Sequence, residues 1–108
     1  MGQATATTIE DKFSALPTEE RASVISHGVA LRLSSWKKRL FLAESKLQFF
    51  EKKYRTTLAE LDAKGLADDA DYEMHEDYIT WHHWVEAVQK AEKQISTLQV
   101  IATYGLQN

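Results

Sequence analysis

An all-α fold, built as an antiparallel hairpin of two long helices, is predicted by three features of this 108-residue chain. The first is an apolar run, Val29, Leu33, Trp36, Leu40, Ala43, Leu47, Phe50 and Tyr54, whose spacings alternate between four and three. The second is a similar run, Trp81, Trp84, Val88, Ala91, Ile95, Leu98 and Ala102, alternating three and four. A seven-residue repeat keeps one stripe of a helix turned toward a partner helix. The third feature is the match in length: at 1.5 Å rise per residue each stripe extends roughly 30–40 Å. A short acidic connector between them lets the two fold back on each other, as a single domain over residues 1–108.

Each element has its own local signal. Residues 1–17 form a lead-in, in which Ile9, Phe13 and Leu16 at spacings of four and three suggest a short helix. Pro17 ends it, because proline disfavours helical geometry in the preceding residue. Helix one is expected over 18–54, with Thr18 as N-cap and the charges of Glu19 and Glu20 suiting a helix N-terminus. Gly28 interrupts it at a cost of about 1 kcal/mol relative to alanine, which a bend or the close approach of another backbone would account for. The connector, 55–72, holds Thr57 and Glu60 in capping-box spacing. A short helix over 58–64 follows, closed by Gly65 in a left-handed position. Asp68, Asp69 and Asp71 each offer a cap for helix two, expected over 73–103 and ended by Tyr104 and Gly105.

Composition bounds the function. The chain has 44% hydrophobic and 27% charged residues, which is ordinary for a soluble helical protein, and no cysteine. That excludes a disulfide framework and a thiolate metal site. No apolar stretch approaches the ~18 residues of a membrane span, and the first residues do not have the form of a secretory signal. The expectation is a cytoplasmic protein with no membrane partner. Net charge is −3 but unevenly spread: residues 1–56 carry ten Lys/Arg and six Asp/Glu, and 57–108 carry three and ten. Within the first repeat, taking Leu33, Leu40, Leu47 and Tyr54 as a positions places Arg32, Arg39, Lys46 and Lys53 at g. Residues flanking a seam cover its edges and choose partners. Helix two supplies Glu86 and Glu92 nearby but no matching acidic row, so these four cations are candidate charge contacts to another molecule.

The apolar residues also exceed what one seam requires. Phe41, Leu42 and Phe49 lie off the stripe of helix one, and Tyr78, Val85 and Ile101 off that of helix two. A lone hairpin cannot bury them all, and so thin a core is marginal. These six are the expected protein interface. Pairing of two hairpins into a four-helix bundle, as a twofold homodimer, is one way to cover them; a different protein is the other.

Candidate chemistry is sparse. Asp71, His75, Tyr78 and His82 share a helical face with Glu76, Asp77 and His83 close by, and His with a carboxylate at i, i+4 is a workable ligand pair. His75 and His82, however, lie two turns or roughly 10 Å apart along the axis, and helix one offers no facing ligand. No metal or cofactor is expected. Ser23, Ser26, Ser34 and Ser35 have only His27 near them in sequence and no glycine-rich elbow, so no catalytic residue is assigned. The basic row with Lys37, Lys38 and Arg55 could meet phosphates, but the acidic overall balance and the lack of a helix-turn-helix spacing rank nucleic acid behind protein. The aromatic cluster of Trp36, Trp81, Trp84, Phe50 and Tyr54 occupies seam positions and reads as core rather than as a ligand cage.

Residues 47–95 carry a further pattern. Phe50-Glu51-Lys52-Lys53-Tyr54 closes an apolar helix, and Leu58 to Leu61 form a short helix before Gly65. The acidic residues 68–71 come next, and His75-Glu76-Asp77-Tyr78-Ile79-Thr80-Trp81 opens the last helix. This succession resembles a class of small all-helical prokaryotic proteins encoded beside a compact toxin-like partner and regarded as antitoxins of type II toxin–antitoxin pairs. Where that pattern has a glycine after the tyrosine, this chain has Arg55, which predicts a different turn there. The resemblance implies a non-enzymatic module that occludes a co-encoded partner, laying an apolar strip and flanking charges into its groove, anchored by Phe41, Leu42, Phe49 and Tyr78. The alternatives are a structural helical homodimer or assembly subunit and, third, a nucleic-acid-binding helical protein.

Overall fold

The computed structural model describes residues 8–106 and contains four helices: α1 (Ile9–Ser14), α2 (Thr18–Tyr54), α3 (Leu58–Lys64) and α4 (Tyr72–Leu106). No strand occurs among the described residues, and α2 and α4 pack against each other as a helical hairpin. Every residue of both predicted stripes is buried or half-buried, from Val29 to Tyr54 and from Trp81 to Ala102. None of the helices among the described residues is long and apolar enough to cross a membrane.

Several termini differ from expectation. Thr18 is the first helical residue and not the cap. The carbonyl of Pro17 accepts from the Arg21 amide at 3.0 Å, and the Arg21 guanidinium donates to the carbonyls of Ser14 and Leu16 and to the Thr18 hydroxyl. The arginine thus satisfies carbonyls at the end of α1, and not the first amides of α2 that a threonine cap would have taken. At α3 the Thr57 hydroxyl accepts from the Glu60 amide as expected, but the Glu60 carboxylate accepts from the Thr56 hydroxyl and leaves the box half made. Gly65 donates to the Leu61 carbonyl at 2.7 Å with φ +79°, ψ 167°. Positive φ is as predicted, but the backbone is extended, a region open to glycine almost alone. Asp71 caps α4 through the Met74 amide at 2.8 Å. The helix then continues through Tyr104 and Gly105 to Leu106, since one glycine near a helix end costs too little to stop it.

Two positions expected to bend the backbone behave otherwise. A Cβ added at Gly28 would meet nothing within 4 Å, so no close approach explains that glycine. Arg55 has φ +53°, so this turn takes the left-handed conformation that a glycine favours, with an arginine in its place. An arginine held there carries a strain of about 1 kcal/mol.

The chain divides into two compact units. One comprises Met1–Ser34 and Ser96–Asn108. In it, Thr8 and Asp11 form a reciprocal capping box on α1, Phe13 is half-buried, and Val29 is the buried apolar side chain among the described residues. Small side chains at Ala22, Ser26, Ala30 and Ala102 leave a shallow groove of about 170 Å³ beside Ile25, Val29 and Leu33. The other unit, Ser35–Ile95, holds Trp36, Ala43, Phe50, Leu58, Trp81 and Ala91 buried. Its centre is the Phe50–Leu58–Trp81 cluster, with Leu47, Tyr54, Leu61, Tyr78, Trp84 and Val85 packed against it. Phe50 and Tyr54 both stack on Trp81, with centroids 5.5 and 5.9 Å away and planes 21° and 22° apart.

Candidate functional site

Within the Ser35–Ile95 unit the two sides of the α2–α4 seam are finished differently. On one side α3 lies over the seam. Leu58 is buried and Leu61 half-buried there, and a cleft of about 470 Å³ is lined by residues that include Glu51, Asp62, His82, Val85 and Glu86. One Asp62 oxygen accepts from the Tyr78 hydroxyl and pairs with His82 Nε2 at 2.9 Å, which ties α3 to α4. These contacts hold the Asp62 carboxyl below the usual carboxylate range and raise the Tyr78 phenol above its own.

At the connector end Lys53 bridges Glu73 and, at 2.6 Å, Asp77, and the Tyr54 hydroxyl donates to that same Asp77 oxygen. Hydrogen bonds from Lys53 and then Tyr54 lower the Asp77 pKa, and those to Asp77 and Glu73 raise that of Lys53. One of the four cations assigned to another molecule is therefore already paired inside the chain. Its partners stand one turn apart on α4.

The opposite side of the seam is uncovered. Arg39, Lys46 and Lys53 recur every seven residues along α2, as do Leu42 and Phe49; on α4 the strips are Glu73, Thr80, Ala87 and Glu76, His83, Lys90. Around a cleft of about 390 Å³ stand Trp36, Arg39, Leu42, His83, Trp84, Glu86, Ala87 and Lys90. The cations here lie on aromatic faces: Arg39 is 4.4 Å and Lys90 5.9 Å from the Trp36 ring centre, and Lys46 is 6.0 Å from that of Trp84. Such contacts contribute about 0.5–1 kcal/mol at exposed sites. Among the described residues no carboxylate lies within ion-pair distance of Arg39 or Lys46. Leu42 and Phe49 remain 49% and 57% exposed, and Phe41, on a neighbouring strip of α2, 73%.

The six expected interface residues therefore separate. Phe41, Leu42 and Phe49 are exposed in this unit, and Ile101 is exposed in the other. Tyr78 and Val85 are half-buried against the Phe50–Leu58–Trp81 cluster, so much of their apolar surface is covered from within the chain. The aromatic cluster is core, as its seam positions predict: Trp36, Phe50 and Trp81 are buried and Tyr54 and Trp84 half-buried. No group of three or more metal-ligating side chains converges among the described residues. His75 Nδ1 lies 2.9 Å from the Asp71 carbonyl, and His83 packs edge-on against Trp84. Asp62, the residue that engages both Tyr78 and His82, was missed by the sequence reading, because nothing in the spacing of α3 tells which flank of the hairpin it covers.

Comparison with protein families, with curated proteins and with solved structures finds no match to this chain.

Proposed function

We propose that this chain is a non-enzymatic protein-binding module, acting as an antitoxin-like partner that occludes a protein encoded beside it. The observation that carries this reading is the state of the Ser35–Ile95 unit. Its aromatic core is closed, yet Phe41, Leu42 and Phe49 stay outside on α2, beside Arg39 and Lys46, which have no carboxylate within ion-pair distance among the described residues. Large exposed apolar side chains bordered by charge are the usual make-up of a protein contact, in which aromatic anchors carry most of the energy.

The antitoxin element rests on the resemblance over residues 47–95. Its motif positions serve the fold: Phe50, Leu58 and Trp81 form the central cluster, Tyr54 and Asp77 pair across the helices, and Gly65 and Arg55 take positive φ. The pattern thus supports a shared scaffold, and the partner contact falls on residues outside it. Phe41 is the anchor assigned to that partner. Co-expression with the neighbouring gene product is expected to yield a complex that survives gel filtration and relieves any growth defect the partner causes. Phe41→Glu is expected to separate the two proteins while leaving the helical content unchanged. Separate elution of the wild-type proteins would overturn the reading.

A further inference from the structure

We infer that the uncovered flank of the Ser35–Ile95 unit is self-complementary and pairs with the same flank of a second copy of this chain, antiparallel, about a twofold axis at the level of Lys46 and His83. The inference builds on the protein-binding reading and names the occupant of Leu42 and Phe49; Phe41 is left to the other partner.

The argument is one of charge along the flank. Lys46 stands seven residues from Arg39 and seven from Lys53, and His83 stands seven from Lys90 and seven from Glu76. The flank is therefore balanced about that level in position; in sign it is opposed on α4, Lys90 against Glu76, while Arg39, Lys46 and Lys53 keep α2 positive throughout. At the connector end, Glu73, Glu76 and Asp77 outnumber Lys53, which Glu73 and Asp77 already hold. At the other end Arg39 and Lys90 border a cleft with a single carboxylate, Glu86.

An antiparallel twofold lays α2 on its copy and α4 on its copy. Lys90 then meets Glu76 of the second copy, Arg39 meets Lys53 together with the Glu73 and Asp77 that hold it, a group of net charge −1, and Leu42 packs against Phe49 across the axis. The parallel arrangement would set Arg39 against Lys90 of the copy and bring the two acidic connector ends together, so the net charge of the two ends favours the antiparallel direction. Near the axis the two Lys46 ammoniums approach each other, and each is drawn down over its own Trp84. Because an isologous contact uses every pair twice, a modest match on one side is doubled.

The test uses the full chain in light scattering and sedimentation at micromolar concentration and low salt. The wild type is expected at twice 12.3 kDa, with dissociation favoured by salt. Phe49→Glu is expected to give a folded monomer, and Phe41→Glu to remain a dimer. Two charge-reversed chains carry the decisive arm: Arg39→Glu with Lys90→Glu, and Glu73→Lys with Glu76→Lys. Each alone is expected to dimerise at least about tenfold more weakly, as lost charge pairs at an interface do. Mixed one to one they are expected to form a heterodimer. A monomeric wild type, undisturbed dimers in both reversed chains, or a mixture that fails to pair would each overturn the inference. Failure here with the neighbouring gene product still captured through Phe41 removes the self-pairing alone.

Discussion

The two compact units are built from the same two helices and differ in what their side chains do. In Ser35–Ile95 the seam carries large aromatic residues, α3 covers one side, and ion pairs tie the connector end. In the unit formed by Met1–Ser34 and Ser96–Asn108, Val29 is the buried apolar residue among those described. Val24, Leu31, Val100 and Tyr104 are all more than half exposed there. Charge divides the same way. Residues 22–31 and 94–108 contain no Asp, Glu, Lys or Arg, whereas the flank proposed for self-pairing is framed by them. A heptad seam places residues face to face, but the size of what it brings together decides how much of the helix is held. Ala102 beside small residues on α2 borders a groove; Trp81 is packed by Phe50 and Tyr54, which stack on it.

From that contrast the largest response is expected at the aromatic stack. Trp81 is 1% exposed, and Trp81→Ala is expected to remove about 3–5 kcal/mol. That is a large part of the about 5–15 kcal/mol that holds a native domain, seen as a steep fall in the midpoint of the transition in circular dichroism. Hydrogen exchange probes the difference directly. Amides of residues 22–31 are expected to exchange through local opening, at least about tenfold faster than those of residues 40–52, which wait for global unfolding. Equal protection along α2 would erase the distinction between the units.

Acid sharpens it on one side. The Asp62 and Asp77 carboxyls are held below their ordinary value by their hydrogen bonds, so their contribution to stability is complete above the unfolded-chain value of about 3.9. It is lost as pH falls through the lower folded values. Stability measured by urea is therefore expected to be level from neutrality to about pH 5 and to fall below about pH 4. Asp77→Asn is expected to lower the plateau and flatten the fall. The smallest effects are gains at two backbone positions, one in each unit. Gly28→Ala fills open space in a helix and is expected to add about 1 kcal/mol. Arg55→Gly relieves a left-handed residue for about 0.5–1 kcal/mol, less what the freer unfolded chain takes back.

What could be read from the residues alone follows from range. The hairpin and its stripes were legible because a seven-residue period is local, and all the stripe positions from Val29 to Tyr54 turn inward. The caps at Thr57 and Asp71 were legible for the same reason. Thr18 was expected to cap α2 but is its first helical residue, and Arg21 reaches back to three oxygens at the α1–α2 junction, a longer-range contact that spacing does not announce. The candidate site was half legible. The basic row stood out, but that Lys53 would find Glu73 and Asp77 depends on the register of two helices twenty residues apart. Tyr78 and Val85 were assigned to another molecule because the surplus was counted against a bare hairpin. The seven-residue α3 takes up part of it.

The stack of Phe50 and Tyr54 on Trp81 also gives the chain an optical signature. Trp81, shut away from water, is expected to emit toward the blue together with the buried Trp36, and Trp84, half-buried beside the cations, further to the red. The shape of the emission band is thus expected to change when the open flank is covered, without any label being attached.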